Sequence, residues 1–180
     1  MLFIVSSIAA SGKTTLVEHV KEKFKLYKLK TCTTRPIRDE EKGNEYYFIT
    51  EEVFSSMIYA NKFIEWAHVY DYYYGLTKEE VEKNKNKYCI VILDVQGTQS
   101  ILKLYPEAVS IFILPPSRSE VETRLLGRNT SKNDVDIRLE KMNVELLEAE
   151  NYDYRVDYGD LDAMKAQISK IIEKELFFLD

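Results

Sequence analysis

Leu2-Phe3-Ile4-Val5 is an unbroken apolar run, and Leu16, Val17, Val20 and Phe24 follow it at helical spacing. The run predicts a strand buried on both faces, the series predicts an amphipathic helix, and Ser6 to Thr15 form a small-residue loop between them. Buried-strand patterns recur at Tyr88 to Asp94 and at Ala108 to Leu114, the latter stopped by Pro115-Pro116. A helix is expected from near Gln96, and another from Ser119 with Val121 and Leu125 inward. The polar run Asn129 to Asp134 reads as a mobile connection to a helix carrying Val135, Leu139, Met142 and Leu146. A strand over Tyr152 to Val156 and an amphipathic helix with Leu161, Met164, Ile168, Ile171, Ile172 and Leu176 close the chain.

Between the first helix and Tyr88 the pattern changes to short aromatic strands: Tyr46 to Ile49, Phe63 to Ala67 and Tyr72 to Gly75. A short helix over Glu51 to Tyr59 is predicted among them, with Val53, Met57 and Ile58 inward. Short strands enclosed by parallel-sheet strands point to an α/β fold with a parallel core sheet and a small inserted lobe. Most tyrosines of such a lobe serve packing.

Composition narrows the function classes. The 180 residues, 45% apolar and 31% charged, suit one core with an insert. A net charge of −5 disfavours a nucleic-acid backbone as partner, because displacing its counterions needs a basic surface. No apolar run approaches the ~20 residues that span a bilayer, and no export signal is apparent, so a cytoplasmic protein is expected. Cys32 and Cys89 are too far apart in sequence for metal-ligand spacing and are expected as reduced thiols.

The chemistry concentrates at three places. Ser11-Gly12-Lys13-Thr14-Thr15, set between a strand and a helix, reads as the end of a P-loop. Its backbone N–H groups and the helix dipole wrap a polyphosphate, Lys13 reaches the outer phosphates, and the Thr14 hydroxyl reaches magnesium. Arg35 and Arg38 flank Pro36 on a shaped loop, where two guanidinium forks suit a phosphate monoester or else pair with the acidic run Asp39-Glu40-Glu41. Asp94 ends a buried strand at the edge where open α/β sheets bind ligands, and is equally placed to cap the following helix. Arg124, Arg128 and Arg138 surround the polar connection, as ordinary surface charge or as a lid that meets transferred phosphate.

Taken in order, the P-loop, Thr33-Thr34-Arg35-Pro36-Ile37-Arg38, Tyr46-x-Phe48, Phe63-Ile64-Glu65-Trp66-Ala67 and Tyr74-Gly75 resemble the guanylate kinases. Leu93-Asp94-Val95-Gln96-Gly97, Ile113-x-Pro-Pro-Ser117, Leu126-Gly127-Arg128-Asn129-Thr130 and Asp160-Leu161-Asp162 extend the resemblance over nearly the whole chain. It implies a three-layer α/β/α P-loop fold with an inserted nucleotide-monophosphate-binding lobe (31–86) and a helical lid (126–149). The remaining stretches, 1–30, 87–125 and 150–180, would form the core. The implied reaction moves the γ-phosphoryl group of ATP, with Mg²⁺, onto GMP or dGMP, in purine nucleotide metabolism. Small nucleotides are then the partners, and monomer and homo-oligomer remain alternatives.

By the same resemblance, Arg35, Arg38, Tyr46 and Tyr74 bind the GMP phosphate, Glu65 and Asp94 face guanine N1 and N2, and Thr31 lies near O6. Ser11, Gly12, Lys13, Thr14, Thr15 and Arg128 serve ATP, with Arg128 and Arg138 neutralising the transferred group. Four positions depart from the family pattern. Ser7 replaces the first P-loop glycine, Leu76 a base-contacting Ser or Thr, Ile92 an acidic residue near magnesium, and Tyr158-Gly159 an Asn-Asp beside adenine.

Overall fold

The computed structural model describes residues 1–8, 11–38, 41–127 and 131–177. Its centre is β1 (Leu2–Ser7), which pairs in parallel with β7 (Cys89–Ile92) on one side and β8 (Val109–Ile113) on the other. The short β2 (Tyr27–Lys28) and β9 (Tyr154–Val156) complete a five-stranded parallel sheet in the order β2-β7-β1-β8-β9.

Alternation along the strands explains why the apolar runs are continuous. Phe3, Val5, Ile90, Ile111 and Ile113 pack on one face with α1 (Lys13–Phe24) and α7 (Leu161–Phe177). Ile4, Cys89 and Val91 pack on the other face with Ile101 of α4 (Val95–Leu104). Phe112 instead joins Ile8 and the helices α5 (Arg118–Leu126) and α6 (Lys132–Glu148) in a separate cluster. A strand with both faces covered needs apolar residues at every position, and the three-layer arrangement follows.

The insert forms its own sheet, ordered β4-β3-β6-β5, from β3 (Cys32–Thr33), β4 (Tyr47–Phe48), β5 (Phe63–Val69) and β6 (Tyr72–Thr77). β5 and β6 are an antiparallel hairpin, and β3 bridges β6 to β4. Against this sheet lies α2 (Glu51–Tyr59), whose N-cap Thr50 accepts from the Val53 N–H. The helix bounds agree with the sequence pattern, but its inner face does not. Phe54 is fully buried and stacked on Phe63 at 4.4 Å, whereas Val53 is 46% exposed. An aromatic side chain buries more area than valine, so the helix turns its phenylalanine inward.

The seven-residue α3 (Lys78–Asn84), opened by Thr77 accepting from Glu80 N–H, leads back to the core. Lys132 to Asp134, expected within a connection, form the first turn of α6, capped by the Ser131 hydroxyl. Asn129 and Thr130 lie outside the described residues. Cys32 and Cys89 are free and buried, and burial pushes the Cys32 thiol up to about 11. Among the described residues no helix is long and apolar enough to cross a membrane.

Candidate active site

The connection from β1 runs to β2 on one side of the sheet, while β7 connects across β1 to β8 on the other, which leaves a crevice at the strands' carboxyl ends. A cleft of about 570 Å³ occupies that place, between the sheet edge, the insert and α6. Ser6 ties its floor together: the buried hydroxyl donates to Leu93 O at 2.9 Å and lies 2.7 Å from Thr98 Oγ1.

At one end of the cleft, Gly12 is the N-cap of α1 with φ +86, a left-handed conformation that glycine adopts without strain, and no side chain caps the helix. Gly12, Thr14 and Thr15 are exposed, so the first amides of α1 and the positive end of its dipole meet the cleft. Lys13 Nζ donates to Ser7 O at 3.1 Å and Ile8 O at 3.3 Å, folding over the loop. Ser7 ends β1 in regular strand backbone, where glycine's freedom is not required, and its hydroxyl hydrogen-bonds that of Ser11. The serine substitution therefore braces the loop.

At the opposite end, Arg35 is only 7% exposed and held rigidly. Its Nη1 donates to Pro36 O at 2.7 Å and Glu41 Oε2 at 3.0 Å, its Nη2 to Glu41 Oε1 at 2.6 Å, and its guanidinium stacks on Tyr46 and Phe48. Burial works against the Glu41 carboxylate, but Arg35 and the Arg38 N–H outweigh it and hold Glu41 below the usual range. The acidic-run pairing of Arg35 is thus realised in part, and Arg38 lines the cleft beside it with Tyr46 and Tyr74.

Glu65, from β5, and Asp94, at the end of β7, form a carboxylate pair. Asp94 Oδ1 caps α4 by accepting from Gly97 N–H at 2.9 Å, and the residue also lines the cleft. Glu65 is 7% exposed, and its Oε1 accepts from Leu76 N–H at 3.1 Å. Burial, with the Asp94 charge adding to it, pushes Glu65 up to about 8. Leu76 itself is fully buried in the core, and Thr77 is committed to capping α3, so neither hydroxyl nor side chain at these positions reaches the cleft. Thr31, also buried, lines the cleft nearby.

Every site residue named from the sequence lines this one cleft except Arg128, which lies outside the described residues. Arg124 is engaged elsewhere, with Glu120 and the Tyr158 hydroxyl.

The guanylate kinase family model matches residues 4–175. The chain belongs to the guanylate kinase family. It is similar to the guanylate kinase of Photorhabdus laumondii, 38% identical over 97% of this chain and 87% of that protein. The guanylate kinase of Thermotoga maritima is 35% identical over 97% of this chain and 86% of its own length. Among solved structures, the crystal structure of guanylate kinase from Anaplasma phagocytophilum superposes with a TM-score of 0.77 at 29% identity, over 97% of this chain and 85% of that one.

As a guanylate kinase relative, the chain carries cleft residues that its motifs do not disclose. Glu145 of α6 lines the cleft, and burial raises its carboxyl, with Lys13 opposing and Asp94 adding to the shift. Asp134 lines the cleft from the same face of α6 as Arg138, at helical spacing. Tyr70, between β5 and β6, lies under the Arg138 guanidinium. The sequence signal for Asp134 and Glu145 is the period of α6, which places 134 and 145 on one stripe with Arg138.

Proposed function

We propose that the chain transfers the γ-phosphoryl group of ATP to GMP or dGMP, giving ADP and GDP or dGDP. The observation that carries this is one cleft holding the P-loop lysine at one end and the Glu65–Asp94 carboxylate pair at the other. The division of labour follows: a core (1–30, 87–125, 150–180), an acceptor lobe (31–86) and a lid (126–149).

In this reading the backbone N–H groups at the start of α1 take the donor phosphates, and Lys13 swings from the loop carbonyls to their outer oxygens. Arg35 and Arg38, with Tyr46 and Tyr74, hold the acceptor phosphate, and the Arg35 fork keeps donors beyond those used by Glu41 and Pro36. Glu65 and Asp94 accept from guanine N1–H and N2–H, and Thr31 sits near O6. Adenine has no donor at those positions and would leave the remaining acceptor oxygens of buried Glu65 and half-buried Asp94 without these hydrogen bonds. The acceptor is already an anion, so alignment and charge neutralisation by Lys13, Arg138 and Arg128 carry the rate without a general base.

Among the described residues no group of three or more acidic, His or Cys side chains forms a metal cage, and Ile92 is apolar at the sheet edge. The exposed Thr14 hydroxyl at the start of α1 fits a magnesium ion that arrives with ATP and keeps phosphate and water as its other ligands. Bound there, Mg²⁺ neutralises developing phosphate charge. Work on purine nucleotides in the cytoplasm is the setting that this chemistry fits.

The test is GMP-dependent formation of ADP from ATP and Mg²⁺. Lys13→Ala abolishes it in this account, and undiminished turnover in that variant would remove the P-loop from the mechanism.

A further inference from the structure

Tyr70 stands at the tip of the β5–β6 hairpin with φ +56, a left-handed conformation costly for a bulky aromatic residue. A turn position of this kind ordinarily takes Asn, Asp or Gly. Its ring is instead covered by two cations of α6: the Arg138 guanidinium at 4.4 Å and Lys141 Nζ at 4.7 Å from the centroid. Burial, with Glu145 adding and Arg138 opposing, pushes the Tyr70 hydroxyl up to about 12, so it is neutral at physiological pH. Tyr70 and Arg138 line the same cleft, and Arg138 Nε is buried with no hydrogen-bond partner among the described residues. A cleft arginine whose guanidinium face is fixed by a ring presents its N–H donors in a restricted set of directions, which suits the positioning of an oxyanion.

We propose that Tyr70 is a positioning residue for phosphoryl transfer: its ring fixes the Arg138 guanidinium toward the transferred phosphate and ties the acceptor lobe to the lid helix. The hairpin that ends in Tyr70 also carries Glu65 on β5 and Tyr74 on β6. Seating of the acceptor between those strands is thereby coupled to the cation that meets the phosphate. Backbone strain at Tyr70 persists because the cation contact offsets it. The inference rests on the phosphoryl-transfer reading given above.

The decisive variant is Tyr70→Asn, which suits the left-handed backbone and removes the ring. Its melting temperature is expected to stay level or rise, while kcat falls about tenfold and KM for ATP and GMP changes by less than about twofold. Tyr70→Phe keeps the ring and retains kcat. In an Arg138→Ala background, Tyr70→Asn has no further effect on kcat, because the residue acts through the arginine. A wild-type kcat in Tyr70→Asn, an equal loss in Tyr70→Phe, or a further tenfold loss in the Arg138→Ala background overturns the role of Tyr70. A wild-type chain inert toward ATP and GMP overturns the phosphoryl-transfer reading instead, so the two failures are distinguishable.

Discussion

Glu65 occupies space that exists because residue 97 has no side chain: a β-carbon on Gly97 would lie 2.8 Å from Glu65 Oε2 and 3.3 Å from its Cδ. Gly97 is in the first turn of α4, the helix capped by Asp94, so one backbone segment sets the position of both carboxylates.

Gly97→Ala therefore displaces the Glu65 carboxylate while leaving the helix intact. Alanine gains up to about 1 kcal/mol of helix propensity, which offsets the cost of the displacement in the folding free energy. Steady-state kinetics should show KM for GMP raised several-fold with KM for ATP unchanged. Equal KM values for wild type and variant would mean that Glu65 can move without consequence for the acceptor.

The elevated Glu65 carboxyl, about 8, makes acceptor binding pH-dependent. At pH 7 the empty site holds Glu65 protonated, and guanine N–H donors favour the ionised form, so binding releases a proton. GMP affinity should rise several-fold between pH 7 and 8.5, where the phosphate, with a second pKa of about 6, is already dianionic. Calorimetry in buffers of differing ionisation enthalpy reads the released proton. Glu65→Gln flattens the profile. For folding the sign is opposite: the unfolded chain releases this proton from the ordinary value of 4.5 upward while the folded chain keeps it, so stability falls as pH rises from there to about 8 and levels off above. Affinity that is level or falling over this range contradicts the assignment.

Arg35→Lys replaces a fork that makes bonds in two directions with a point charge. The paired contacts to Glu41 and the stacking on Tyr46 and Phe48 are lost together. We expect KM for GMP to rise by the equivalent of about 1.5–3 kcal/mol, tenfold or more, with KM for ATP little changed. A variant with wild-type KM for GMP would show that Arg35 serves only the loop.

Much of this architecture was legible because each core strand is covered on both faces, which writes an unbroken apolar run into the sequence. The bounds of α2 followed from its period, but the choice between Val53 and Phe54 did not. Both fit a helical stripe with Met57 and Ile58, and the stacking partner Phe63 is distant in sequence. The apolar signal of α3 was too weak, one valine in seven residues, and its trace was the capping pair Thr77 and Glu80. At the site, Lys13, Arg35 and Asp94 announced themselves through local context: loop, proline, strand end. Tyr70 and Glu145 could not, because their partners come from other elements, which only packing brings together.

The Val53 and Phe54 difference is itself measurable. Phe54→Ala should cost about 3–5 kcal/mol in denaturant unfolding, since it empties the centre of the lobe's cluster with Cys32 and Phe63. Val53→Ala should stay within about 0.5 kcal/mol. Comparable losses in the two variants would restore the face expected from periodicity.

In the proposed reaction this cleft pairs a P-loop donor site with a guanine-reading acceptor site. Turnover with ATP and Mg²⁺ should be compared across GMP, dGMP, AMP, IMP and UMP as acceptors. Transfer to GMP and dGMP should be rapid, with at least about a hundredfold lower kcat/KM for AMP, whose base offers Glu65 and Asp94 no N–H donor where guanine has N1–H and N2–H. AMP turning over as fast as GMP would contradict it.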